Sequence, residues 1–396
     1  MKRSLAFILI VLMLLTGALT ACDNQESNNI ADYMVNATDT IHIGAILPLK
    51  GDSSETAKRV EDGLKYASTL AKKIKIDKTY EIELIIKDIA ELDSAYNEFS
   101  SKAAAVICLG TNRENTDSII EKFSNTKTPL IILDNFSDSI SKAANAFSIS
   151  ISSNYQVSAL VRYITEKGYK NGTLILCEEN ESTKAFEDLF IKTANNSSIT
   201  AATYYAEGKK GLPDDIENSE FIFINGPVLD SKGLIKTIKH KGCKGEIILS
   251  EIIDNTSLQS ENFEGVTFIN KFEYDNENFI GSDFLNQYSK INTTSASDIT
   301  AAEAYGYDAY MLLYEVLSAH SNQITAVNNS KSENISNFSA DINASDIITT
   351  LSEITFHGVT DDIIFDESGL SQVKFLYVDR IEAQEAVKIA KYNFSN

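Results

Sequence analysis

The sequence predicts an α/β protein of two Rossmann-like lobes, each a parallel sheet covered by helices. Three observations carry that expectation. From residue 40 onward, short and almost continuous apolar runs alternate with amphipathic stretches. That is how strands buried on both faces read when helices cover them. The alternation restarts near residue 150 and gives two halves of similar size. Finally, 396 residues with 43% hydrophobic content suit two domains with real cores better than one.

The elements follow in order. Ile41–Leu47 (IHIGAIL) reads as a strand and Pro48-Leu49-Lys50-Gly51 as a turn. Glu55–Lys73 is predicted helical, because residues 60, 64, 67, 70 and 71 place apolar groups on one face. Tyr80–Ile86 is the next strand, Asp93–Ala104 a helix, and Ala105–Leu109 a strand ending at Gly110. Asn115–Ser124 is a helix with Asn115 or Thr116 as its cap, and Pro129–Leu133 a strand. The second half begins with a helix at Asn154–Lys167, a strand at Thr173–Leu176 and a helix at Thr183–Ala194. Phe221–Ile224, Ile247–Leu249 and Val266–Asn270 read as strands, with a helix at Ser231–His240. A helix near Phe279–Tyr288 and a long one at Thr300–Ala319 come next. Residues 322–345 form a polar, Asn/Ser-rich loop, Ser345–Glu353 a helix, and Val373–Val378 a strand.

The formal net charge is −21, which argues against a nucleic-acid partner, because a phosphate backbone would be repelled. The four histidines, at 42, 240, 320 and 357, show no metal-ligand spacing, and no cofactor is expected. Asp361-Asp362 with Asp366-Glu367 lacks the spacing of a calcium loop and reads as a solvated turn. No glycine-rich phosphate loop or nucleophile elbow occurs, and nothing clusters Ser, His and Asp, so no enzyme is expected. Cys108 and Cys177 sit in apolar runs and read as buried thiols; a Cys177–Cys243 bridge is the one pairing worth testing.

The N-terminus carries an address. Lys2 and Arg3 precede an apolar run from Leu5 to Leu15, too short to span a bilayer comfortably. Leu19-Thr20-Ala21-Cys22 then resembles a bacterial lipobox, in which the cysteine is lipidated and becomes the mature N-terminus. An ordinary export signal with a chance cysteine is the alternative. The resemblance implies a signal peptide over 1–21, a lipid on Cys22, and a tether over 22–39 rich in Asn, Asp and Ser. The protein is then expected on the outer face of a cell membrane. The bias to Lys, Asn and Ile suggests an AT-rich bacterial genome, and a Gram-positive surface fits that setting.

Three blocks carry a wider resemblance: IHIGAILPLKG at 41–51, AAEAYGYDAYMLLYEVL at 301–317, and FHGVTDDIIFDESG at 356–369. Together they resemble the type I periplasmic binding proteins, and most of all the leucine/isoleucine/valine-binding group that serves ABC importers. The resemblance implies lobe I from 40–147 and 274–345, lobe II from 148–273 and 346–396, and three crossover strands between them. It implies a small-molecule ligand in the cleft, an ABC permease as partner, and closure about a hinge. Open α/β sheets bind ligands at the carboxyl ends of their strands, which independently favours the loops after Leu47, Leu109, Leu133 and Leu249.

Carried over residue by residue, the family pattern places Thr111, Asn112 and Arg113 on the ligand's α-carboxylate, a sound position for backbone N–H groups and a helix start. Asp134, Asn135 and Phe136 occupy the second loop of that lobe. A carboxylate at Asp134 would repel an acid, so either Arg113 compensates or the ligand is not a simple amino acid; a cap or hinge hydrogen bond is the structural alternative. In the second lobe the expected aromatic is missing, and Ser182 stands in an acidic loop, Glu178–Thr183. Glu251 matches the acid that takes the ligand ammonium, or is a solvated loop residue. Gln156 fits a helix start near the cleft mouth, and Tyr305 reaches the cleft or belongs to the core. A ligand-sensing receptor module of the same fold, or a surface enzyme, would be the rival functions.

Overall fold

The computed structural model describes residues 39–395 apart from 77, 111, 135–136, 208–211, 227, 261–262, 273–278 and 331–343. The signal segment, Cys22, Thr111, Asn135 and Phe136 therefore lie outside the described residues.

The first lobe opens with β1 (Asp39–Leu47), α1 (Ser54–Leu70), β2 (Lys73–Lys75), β3 (Thr79–Asp88), α2 (Leu92–Lys102) and β4 (Ala103–Cys108). It continues with α3 (Arg113–Phe123), β5 (Leu130–Ile132) and β6 (Ala146–Ser148). The sheet order is β2-β3-β1-β4-β5-β6, parallel except for the short β2 edge. Helix α3 starts two residues before the expected cap: Asn112 is the cap, and its Oδ1 accepts the Asn115 amide at 2.9 Å.

The second lobe repeats the plan. It runs α4 (Ser153–Glu166), β7 (Asn171–Leu176), α5 (Glu181–Asn195), β8 (Thr200–Tyr205), β9 (Phe221–Asn225), α6 (Val228–His240), β10 (Glu246–Glu251), α7 (Thr256–Ser260) and β11 (Thr267–Asn270). The chain returns to the first lobe for α8 (Phe279–Asn292), the long α9 (Ala301–Ser330), α10 (Ala344–Glu353), β12 (Phe356–His357), β13 (Asp362–Phe365) and β14 (Ser371–Gln372). It ends on an antiparallel hairpin, β15 (Phe375–Glu382) and β16 (Glu385–Asn393), added to the free edge of β11. The second sheet therefore reads β16-β15-β11-β10-β9-β7-β8. In both parallel sheets the lobe's first strand lies between its second and third parallel strands, so each has a switch point beside that first strand.

Side chains mark where the chain crosses. Ile149 packs in the first lobe's core and Ile151 in the second; Ile269 belongs to the second and Phe272 to the first. The last crossing corrects the expected boundary at 345/346. Ile347, Leu351, Phe356, Val359, Ile363 and Phe365 pack in the first lobe's core, and Val373 is the first core residue of the second. The reason is local. The apolar stripe of α10 lies against α9, and the Val359 and Thr360 amides donate to the buried Asp308 of α9 at 2.7 and 2.8 Å.

Helices α1 and α9 approach until a Cβ on Gly63 would lie 2.0 Å from the Glu303 carbonyl, and one on Gly306 2.3 Å from that of Val60. Only glycine allows this crossing. Glu303 also returns to the Thr300 amide at 2.9 Å and closes the start of α9.

Candidate functional site

A cleft is lined by strand ends and helix starts of the second lobe and by Arg113 of the first. The end of β4 leads into Arg113 on the first lobe; the ends of β7 and β9 supply Cys177, Glu178, Asn225 and Gly226 on the second. Helix starts complete the wall with Ser153 and Gln156 from α4, and Asn180, Ser182 and Thr183 from α5. Asn180 is a true cap: its Oδ1 accepts the Thr183 amide while Thr183 Oγ1 accepts the Asn180 amide. Gly226 has φ +159°, and a Cβ there would meet the Cys177 sulfur at 2.4 Å, so the two strand ends close without a side chain between them.

The candidate residues of the first lobe have the following places. Asn112 caps α3. Arg113 lines the cleft and gives Nε to Asp117 at 3.2 Å, with Nη2 3.6 Å from Asp138. Asp134 is 3% exposed, and its carboxylate accepts the Gly110 amide at 2.7 Å and the Thr116 hydroxyl at 2.8 Å. It thus ties the two strand-end loops of that lobe together.

In the second lobe Ser182 lines the cleft, whereas Glu251 and Tyr305 are not among its lining residues and hydrogen-bond to each other. Glu251 ends β10, and its carboxylate accepts from the Ser150 hydroxyl, the Ile151 amide at 2.9 Å and the Tyr305 hydroxyl. It joins the second lobe, the first crossover and α9 of the first lobe. Tyr305 is fully buried, and burial first, then the charge of Glu251, holds its hydroxyl well above the usual range. Three residues on, Asp254 accepts the Thr56 hydroxyl of α1 at 2.9 Å, and Ile253 packs against the first lobe's core. One loop of the second lobe therefore carries these contacts to the first.

At the hinge, Lys271 is 1% exposed. Its Nζ donates to the Ile149 carbonyl at 3.0 Å and the Ser371 hydroxyl at 3.4 Å, so Lys271, on the second crossover, is bonded to the first and the third. Burial lowers its pKa against the pull of Asp361 and Glu251. The three described cysteines are free thiols, so no Cys177–Cys243 bridge forms. Among the described residues no group of His, Cys, Asp and Glu could hold a metal, and no helix is long and apolar enough to cross a membrane. Asp366 closes its own turn on Ser368 and Leu370.

Residues 56–377 match the family described as the receptor family ligand binding region. The chain belongs to that family. No curated protein sequence matches it. Among solved structures this ligand-binding region is similar to a leucine-binding protein of Thermotoga maritima, with TM-score 0.72, 17% identity, and 89% of this chain and 99% of that one covered. It is also similar to the branched-chain amino-acid substrate-binding protein of Streptococcus pneumoniae in complex with isoleucine, with TM-score 0.68, 18% identity, and 89% and 100% covered. A solute-binding protein of Rhodopseudomonas palustris in complex with p-hydroxybenzoic acid gives TM-score 0.71, 14% identity, and 90% and 97% covered. These likenesses identify the type I periplasmic binding fold.

The cleft residues that sequence reading missed are Ser153, Cys177, Phe186, Asn225 and Gly226. For Cys177, Asn225 and Gly226 the signal is topological: it appears only once β7 is known to lie beside β9.

Proposed function

We propose that the protein is a solute-binding lipoprotein. It would be anchored through Cys22 on the outer face of the membrane and capture a small amine-bearing solute, an amino acid or related amine, for an ABC importer. The observation that supports this best is the cleft itself, at the switch points of both sheets, with polar side chains from both lobes on its walls. Binding needs such a wall and no nucleophile–base pair. The structural neighbours that hold amino acids and aromatic acids favour the same role.

Glu251 is the proposed acceptor for the ligand's ammonium. It is held by neutral donors, no ion pair within 4 Å involves it among the described residues, and so its charge is open to a cation. Tyr305, buried behind it, orients that carboxylate. The lipid anchor would keep the receptor near its permease and raise the effective concentration of the pair.

A thermal-shift screen of the full chain against amino acids, amines, sugars and aromatic acids tests the reading. Stabilisation by an amine-bearing solute supports it; stabilisation by a sugar alone refutes it. Glu251→Ala should abolish amine binding, and unchanged affinity would remove Glu251 from the site. The family's description as a receptor region favours one second reading, a sensing module that signals to a partner protein. Uptake of the bound solute by cells carrying the chain, lost when the chain is deleted, decides for transport.

A further inference from the structure

One cleft residue carries an unmet hydrogen bond. Gln156 is 7% exposed and lines the cleft. Its Nε2 donates to the Ile151 carbonyl at 2.9 Å, while its Oε1 is buried without a partner. A backbone carbonyl only accepts, so the amide orientation is fixed: the NH₂ faces Ile151 and the carbonyl oxygen is the atom left over. An orphaned buried acceptor costs about 1–3 kcal/mol. A ligand N–H would remove that cost. The N–H of Ile151 goes to Glu251, so the side chains of Gln156 and Glu251 hold the two backbone groups of one residue. Glu178 lines the same cleft as Gln156 and adds another acceptor to its wall.

The opposite wall offers no net positive charge. Arg113 is the cationic side chain among the residues described as lining the cleft, and Asp117 and Asp138 both engage it. Lys142 is drawn to Asp138 at 2.5 Å. Beside this neutral cluster, Asp134 places a third carboxylate on the Gly110 amide and the Thr116 hydroxyl, donors that a ligand anion would otherwise compete for. A ligand carboxylate entering here meets a wall whose donors already serve the protein's own acids.

Resting on the solute-binding reading above, we propose that the cleft selects an amine without a free carboxylate, with Gln156 accepting from the amine and Asp134 excluding the acid. This sets the chain apart from the neighbours seen with isoleucine or p-hydroxybenzoic acid.

The test uses pairs that differ only by a carboxylate: isoamylamine against leucine, putrescine against ornithine, agmatine against arginine. Each is titrated into the full chain by calorimetry. In the pair that binds, the amine should bind roughly tenfold or more tightly than its acid. Gln156→Leu should weaken that amine by roughly tenfold, as expected for a lost buried hydrogen bond. Asp134→Ser should narrow the gap between acid and amine; the wild-type pairs decide the matter even if that variant fails to fold. Acids binding as tightly as their amines overturn the proposal and leave the solute-binding reading standing. Unchanged amine affinity in a folded Gln156→Leu also overturns it. If no pair, sugar or aromatic acid binds at all, the solute-binding reading falls and the proposal with it.

Discussion

Strand β10 begins and ends on a glutamate, and the two live differently. Glu246, at the amino end, is sealed inside the second lobe. Its carboxylate accepts from Arg380 and Tyr163, each at 2.6 Å, Thr267 at 2.7 Å and Tyr169 at 2.8 Å. Burial pushes its pKa up, but those hydrogen bonds outweigh burial and hold it below the usual carboxylate range. Glu251, at the carboxyl end, has neutral donors only, and they come from the crossover and the other lobe. The contrast separates two uses of a buried carboxylate. Paired with a cation inside one lobe, it fixes that lobe. Held by neutral donors across the lobe boundary, it has no cation paired with it, which is what the proposed ligand role requires. The proposed function puts the ligand at the carboxyl end of the strand, as the architecture of parallel sheets leads one to expect.

The largest effect should come from the sealed end. Glu246→Ala leaves Arg380 and two tyrosine hydroxyls without their acceptor in a part-buried site, which should cost about 2–3 kcal/mol. Urea unfolding reads this directly, and a loss under about 1 kcal/mol would break the comparison. The sign with pH is set. A lowered folded pKa means the unfolded chain binds more protons around and below pH 4.5, so this contribution is present above that range and fades as pH falls. Acid unfolding of Glu246→Ala should therefore be shallower than that of the native chain.

The open end should give smaller stability effects and larger ones on binding. Tyr305→Phe removes one hydroxyl and keeps the ring in the core, so it should cost about 0.5–1.5 kcal/mol in unfolding. Amine affinity should fall by more than that loss alone explains, because Glu251 loses its orientation. A double-mutant cycle with Glu251→Gln separates the two effects. Additive losses would mean that the contact across the lobes plays no part in binding.

These two ends were not equally legible in the sequence. The core strands announced themselves: Ala105–Leu109 and Phe221–Ile224 are apolar throughout because helices cover both faces. The edge strands β8 and β16 did not, since apolar residues are mixed with polar ones in TAATYY and with polar and charged ones in EAVKIAKYN, so both resemble loops. Glu251 and Arg113 stood out because they follow strong apolar runs, Glu251 as the last residue of its strand and Arg113 as the first of the next helix. Gln156 was placed near the cleft mouth from its helix start, but its unmet acceptor depends on where the Ile151 carbonyl falls. The Glu246 knot was invisible, because its partners come from four segments between residues 163 and 380 that only the folded sheet brings together.

Lys271 offers the finest test, because it lies at the hinge between those two worlds. Its ammonium is fully buried, hydrogen-bonded to one crossover carbonyl and one crossover hydroxyl, and within the field of Glu251 and Asp361. Burial is the largest influence on it and lowers its pKa from 10.5. In the folded protein the proton therefore leaves at lower pH than in the unfolded chain. Between the lowered value and 10.5 the unfolded state binds more protons, so stability should rise with pH across that alkaline window. Lys271→Met keeps the length of the side chain and removes the charge, so the rise should vanish. At neutral pH the change should be small, because the lost desolvation penalty offsets the lost hydrogen bonds. If lobe closure depends on this ammonium, Lys271→Met should also change the small-angle scattering difference between free and ligand-saturated protein. An unchanged difference, with the alkaline rise abolished, would show that Lys271 stabilises the hinge without setting its motion.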